Sequence, residues 1–154
     1  MTSITYNVSR ALSRTWDSDM NIVLSKLDHD ANVSPWVQAA ADRGVEVRWI
    51  DVIPEEGCSL DMASLERALD SKTALVACTH ASNACGTIPD VPRIIEMAHA
   101  VDAKTFIDAV HYAPHRLLSV QVGTVPTFHS LSRTHPLLPK MQLWLTAVAL
   151  RSCI

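Results

Sequence analysis

TALVACTHASNACGTIPDVPRIIEMAHAVDAKTFID, Thr73 to Asp108, carries the repeat on which the fold turns. It begins with a short β-branched and apolar run, TALVACT (Thr73 to Thr79), and ends with another, KTFID (Lys104 to Asp108). Between them, after a turn holding Asn83 and Gly86, a segment opens at Asp90. It sets Val91, Ile94, Ile95, Ala98 and Val101 at three- and four-residue spacing, a helix made to lie on a sheet. Strand, helix, strand in this order predicts a right-handed crossover between parallel strands.

The same rhythm extends towards the N-terminus. NIVLS (Asn21 to Ser25) and VEVRWI (Val45 to Ile50) read as two further strands. Between them Ser34 is expected as an N-cap, with Pro35 at the first helical position, an Ala-rich run after Trp36, and Gly44 as the stop. Another helix follows Asp61, with Leu65, Ala68 and Leu69 on one face. The predicted class is therefore α/β, a mainly parallel sheet with flanking helices.

Composition narrows the chemistry. A chain of 154 residues can close one core, and a formal charge of −3 gives no electrostatic reason to expect nucleic acid or an anionic membrane as partner. Cys58, Cys78, Cys85 and Cys153 form no C-x-x-C pair, so neither a zinc knuckle nor a disulfide framework is indicated, and a reducing compartment is expected. The longest apolar stretch, MQLWLTAVAL, is too short to span a bilayer. A soluble, cytoplasmic protein is the expectation.

Ligands of open parallel sheets bind beyond the carboxyl ends of the strands. In this sequence those ends carry the polar residues: His29 and Asn32 after the first strand, Asn83 and Gly86 after the third, Asp108 and His111 after the fourth. Each has a plainer reading. His29 between two aspartates suits a solvated loop, Asp28 or Asp30 a helix cap, and Asn83 a turn. His80, His99 and His115 read as structural. Asp108 is harder to dismiss, because a carboxylate leaving an apolar strand needs a cation, a metal or several hydrogen bonds to stay ionised. A metal-dependent hydrolase ligated by His29, Asp108 and His111 is one alternative.

The motifs LDHDANVSPW, ASNACGTIPDV and FIDAVHYAPH, taken in order, resemble the aminotransferase class V branch of fold-type I pyridoxal-phosphate enzymes, in particular the cysteine desulfurase-like proteins. The similarity runs from about Thr2 to about Val120, so residues 1–120 are expected to be part of a pyridoxal-phosphate-binding large domain. The resemblance implies that Asp108 pairs with the pyridine nitrogen, that His29 stacks on the cofactor ring, and that Asn83 bonds its phenolic oxygen. His111 stands where classical desulfurases commonly carry glutamine. Thr2 matches a remnant of the phosphate-binding turn. An amino-acid substrate and a homodimer are implied with the family.

Residues 121–154 are expected to be a divergent tail. They contain no acidic residue and no strand–helix punctuation, and Lys140 follows Leu-Leu-Pro rather than the family's Ser/His-Lys pattern, so no Schiff-base lysine is identified. None of the four cysteines matches the loop that bears the persulfide in desulfurases. The expectation is a chain related to amino-acid enzymes of desulfurating, transaminating or epimerising type, itself inactive alone. A noncatalytic fragment that pairs with a full-length subunit is the other alternative.

Overall fold

The structure, a computed structural model, describes residues 2–116 and the backbone of 127–130. The remainder of the 121–154 tail, Lys140 and Cys153 included, lies outside the described residues. Helix α1 (Thr2–Leu12) precedes β1 (Asn21–Ser25), α2 (Ser34–Ala41) and β2 (Glu46–Ile50). A small antiparallel pair, β3 (Val52–Ile53) and β4 (Ser59–Leu60), leads into α3 (Met62–Ala68), β5 (Thr73–Thr79), α4 (Val91–Ala100), β6 (Lys104–Asp108) and β7 (Thr127–Ser130).

The five-stranded sheet has the order β2-β1-β5-β6-β7, and all of its ladders are parallel. From β1 the chain first builds outward to β2, then returns to the other side of β1 for β5 and continues through β6. The sheet therefore changes its direction of growth between β1 and β5, the place where loops above adjacent strands diverge and leave a crevice.

Alternation along the strands divides the core into two layers. Ile22 and Leu24 of β1, Leu75 and Ala77 of β5 and Phe106 of β6 pack with Trp36, Ala39 and Ala40 of α2, against which Val8 and Leu12 of α1 also lie. The intervening residues, Val23, Val76, Cys78 and Ile107, face Leu65 and Ala68 of α3 and Val91, Ile94 and Ala98 of α4. Burial on both faces explains why these strands read as continuous apolar runs rather than as alternating patterns. Each fully enclosed Ile, Leu or Val among them contributes about 1.5–3 kcal/mol.

Local chemistry sets the element ends. Asp61 and Asp90 cap α3 and α4 by accepting from the backbone N–H of Ala63 and Arg93. Gly44 ends the α2 turn at φ +68°, a conformation open to residues without a Cβ. Ser34 differs from expectation: it is the first helical residue, Val33 holds the cap position, and the Ser34 hydroxyl donates to Asp30. Helix α1 is absent from the expectations above because TSITYNVSRAL is rich in residues of modest helix propensity, yet Val8 and Leu12, four residues apart, pack towards α2 and Thr5 and Ser9 are buried. Thr127–Ser130 likewise forms a strand that the tail's lack of punctuation concealed. It is held by the β6 ladder, with Ser130 opposite Asp108.

Candidate functional site at the strand ends

Strands β1, β5 and β6 are consecutive in the sheet, so the segments leaving their carboxyl ends lie side by side. Ser25 closes β1, Thr79 closes β5 and Asp108 closes β6, with Thr79 and Asp108 opposite each other in the ladder. The His80 backbone N–H donates to the Asp108 carbonyl at 2.8 Å, which carries the pairing one residue past the strand.

Asp108 is buried, at 4% exposure. One carboxylate oxygen accepts the Val110 backbone N–H at 2.9 Å. Burial pushes its pKa up to about 6, while the Val110 hydrogen bond and then the fields of His111 and His29 act in the opposite direction. The group still ionises at neutral pH, and a cationic or N–H donor placed against it would gain from the low local dielectric.

His29 is exposed, and its Nδ1 accepts the Ala31 backbone N–H at 3.1 Å, capping the 3-10 turn Asp30–Asn32. With Nδ1 committed as acceptor, the neutral ring carries its proton on Nε2. The turn therefore fixes both the tautomer and the edge of the imidazole left free. Helix α1 packs on this turn and on α2, and Thr2 is exposed in the first turn of α1.

Asn83 and His111 line one cleft of about 310 Å³ together with Gly86, Ile88, Tyr112 and Arg116. Behind Tyr112 the His80 ring lies parallel, with centroids 3.7 Å apart and planes 6° from each other, locking the β5 and β6 extensions together. A second hollow of about 210 Å³, beside Trp16, Lys72 and Lys104, lies at the opposite end of β5 and β6. The structure thus sets Asn83 and His111 in one cleft and places Asp108 within the electrostatic reach of His29 and His111. Among the described residues no group of three His, Cys, Asp or Glu side chains could hold a metal ion, so His29, Asp108 and His111 do not assemble the ligand set of the hydrolase alternative.

In the sequence Asp28 suggests no more than a helix cap. Instead its carboxylate is enclosed by the Ser25 hydroxyl, by Asn32 Nδ2 at 2.6 Å and by the Thr79 backbone N–H at 2.9 Å. Burial raises its pKa to about 7 against those three donors, and the charge of Asp108 adds to the rise. Asn32, 1% exposed, also accepts Trp36 Nε1–H at 3.2 Å, so this acid is wired into the aromatic core. The available signal was Ser25-x-x-Asp28-x-x-x-Asn32 directly after a buried strand.

The sequence profile of the family described as aminotransferase class-V matches residues 2–127. The aminotransferase-like protein FGM3 of Gibberella zeae is 37% identical over 101 residues, 65% of this chain and 25% of that protein. A cysteine desulfurase of Dickeya dadantii is 41% identical over 101 residues, 66% of this chain and 24% of its own length. The chain thus spans about a quarter of the length of these curated relatives. The apo cysteine desulfurase of Thermococcus onnurineus NA1 superposes with a TM-score of 0.65 at 26% identity, covering 74% of this chain and 28% of that one. The cysteine desulfurase CsdA of Escherichia coli gives the same TM-score at 23% identity over 72% of this chain and 28% of its own, a likeness of fold.

Proposed function

From the premise that this chain belongs to the aminotransferase class V family, we propose that its β1, β5 and β6 ends form the ring-binding part of a pyridoxal-phosphate site for chemistry on an amino acid. The observation that carries the reading is Asp108: a buried carboxylate at a strand end, one oxygen engaged by Val110 and its proton affinity raised by burial. Such a group suits a protonated pyridine nitrogen, which restores the compensation that burial removes. When bound, the cofactor supplies an electron sink for charge developing at a substrate α-carbon.

The chain's own residues then have separable tasks. Asp108 holds a proton on the ring nitrogen, and its buried position keeps water from competing for that contact. His29, oriented by its bond from Ala31, offers a flat face and a fixed Nε2–H. Asn83 and His111 supply polar contacts from the cleft wall. Thr2, at the start of α1, is proposed as a phosphate contact, since helix N-termini present free N–H groups to anions. No lysine of the described residues is assigned to covalent attachment.

No helix among the described residues is long and apolar enough to cross a membrane. A cytoplasmic setting, a homodimer, and residues 1–120 as part of a cofactor-binding large domain followed by a divergent tail at 121–154 complete the proposal. Titrating the full chain with pyridoxal phosphate, followed by borohydride reduction and peptide mapping, tests it. A saturable spectral change that is weakened in Asp108→Ala supports the reading. Scattered labelling of surface lysines, equal in both proteins, overturns it.

A further inference from the structure

Cys58 and Cys85 are distant in sequence, but the fold brings their loops together. The Thr87 hydroxyl donates to the Gly57 carbonyl at 2.6 Å and lies 3.4 Å from Cys85 Sγ, tying the turn that carries Asn83, Cys85 and Gly86 to the β3–β4 turn that carries Cys58. Each thiol lies within the electrostatic reach of the other. Cys85 is exposed and Cys58 half-buried, whereas Cys78 is enclosed in the core. Gly57 and Cys58 both have positive φ, +65° and +60°. For cysteine that conformation is strained, and strain of this kind persists where the surrounding structure imposes it.

The two sulfurs are also chemically unequal. The Ser82 hydroxyl leads the hydrogen bonds that pull the Cys85 thiol down to about 7, and its oxygen accepts the Ala84 and Cys85 backbone N–H groups, leaving its proton for the sulfur. The Thr87 proton is claimed by the closer Gly57 carbonyl, so Ser82 is the main donor. Burial pushes the Cys58 thiol up. An attacking thiolate beside a resolving thiol is the pattern of a redox-responsive pair.

We propose that Cys58 and Cys85 form a reversible thiol–disulfide site, oxidised by low-molecular-weight disulfides. Cys85 thiolate attacks one sulfur of the external disulfide; a Cys85 mixed disulfide forms, and the departing thiolate takes a proton from water. Cys58 then attacks the Cys85 sulfur, its proton passing to the second departing thiolate, and the Cys58–Cys85 bond closes. Two protein thiols lose two electrons, and the external disulfide gains them as two thiols. Because Cys85 lies between Asn83 and Gly86, the bridge fixes one wall of the cleft. Any effect of the bridge on cofactor binding rests on the proposed function, but its formation does not.

The test incubates the full chain in glutathione buffers of graded redox ratio, quenches with acid, alkylates and maps the peptides. The expected result is a Cys58–Cys85 link that rises and falls with the ratio, is absent in Cys85→Ser, and stops at a Cys85 glutathione adduct in Cys58→Ser. Separate glutathione adducts on Cys58 and Cys85 in the unaltered chain, pairing of either with Cys78 or Cys153, or no reaction would overturn it. Cofactor affinity, measured on the same samples by titration, reads the consequence for Asn83 independently.

Discussion

Thr79 donates its backbone N–H to the carboxylate of Asp28, 2.9 Å away, from the strand position that faces Asp108. One residue at the end of β5 therefore holds the acid of β1's loop and stands beside the acid of β6. Both acids are buried enough to bind protons more tightly than free aspartate, to about 7 for Asp28 and about 6 for Asp108.

That arrangement sets the pH dependence of stability. A carboxyl whose pKa is raised on folding binds more protons in the folded than in the unfolded chain between the two pKa values, so folding stability falls as pH rises through that window. The Asp28 and Asp108 contributions are complete below about 4 and are lost by about pH 7. Asp70 acts oppositely: its bond from Arg48 at 2.7 Å leads the effects that hold it at about 2, a contribution present above about 4 and lost as pH falls towards 2. Urea unfolding of the chain without cofactor is expected to show greater stability near pH 5 than near pH 8, and Asp28→Asn is expected to flatten that slope.

Asn32 joins the site to the core, accepting from Trp36 and donating to Asp28. Asn32→Ala leaves both partners short of a bond, at an expected cost of about 1–3 kcal/mol. The Asp28 proton affinity should rise further, moving the pH window upward. Equal stability of variant and parent in denaturant titrations would show that water replaces the amide without loss.

Trp36 is fully buried, with its ring edge-on to Phe106 at 5.0 Å. Phe106→Ala removes that contact and opens a cavity under α2, at an expected cost of about 3–5 kcal/mol in chemical unfolding. A loss below about 1 kcal/mol would place the core's main support elsewhere.

His29 has two separable roles, a cap through Nδ1 and a proposed face for the cofactor ring. Asparagine caps well but has no ring. His29→Asn should therefore keep thermal stability while weakening cofactor binding several-fold, whereas His29→Ala should also lose about 1 kcal/mol of stability. Parallel melting and titration curves separate the two.

The legibility of the sequence followed the periodicity of burial. Strands β1, β5 and β6 are enclosed on both faces and announce themselves as apolar runs, and α4 shows its buried stripe at Val91, Ile94 and Ala98. Helix α1 is harder to read because small polar residues, Thr5 and Ser9, interrupt the apolar stripe of Val8 and Leu12 on its packed face. The β3–β4 pair is too short, at two residues a strand, to show a period. At the candidate site, Asp108, His29, Asn83 and His111 stand out in the sequence because they close or follow strands. Asp28 has two partners, Ser25 and Asn32, in its own segment, but its bond from Thr79, like the Cys58–Cys85 pair, joins separate segments, which spacing along one loop does not encode.

The most direct measurement is calorimetric binding of pyridoxamine 5′-phosphate, whose amine forms no imine with surface lysines, to the full chain and to Asp108→Ala. A buried carboxylate meeting a protonated ring nitrogen is expected to make binding at least about tenfold tighter in the unaltered chain, or about 1.4 kcal/mol. Equal affinities, or no binding by either protein, would contradict the assignment of Asp108 to the ring nitrogen.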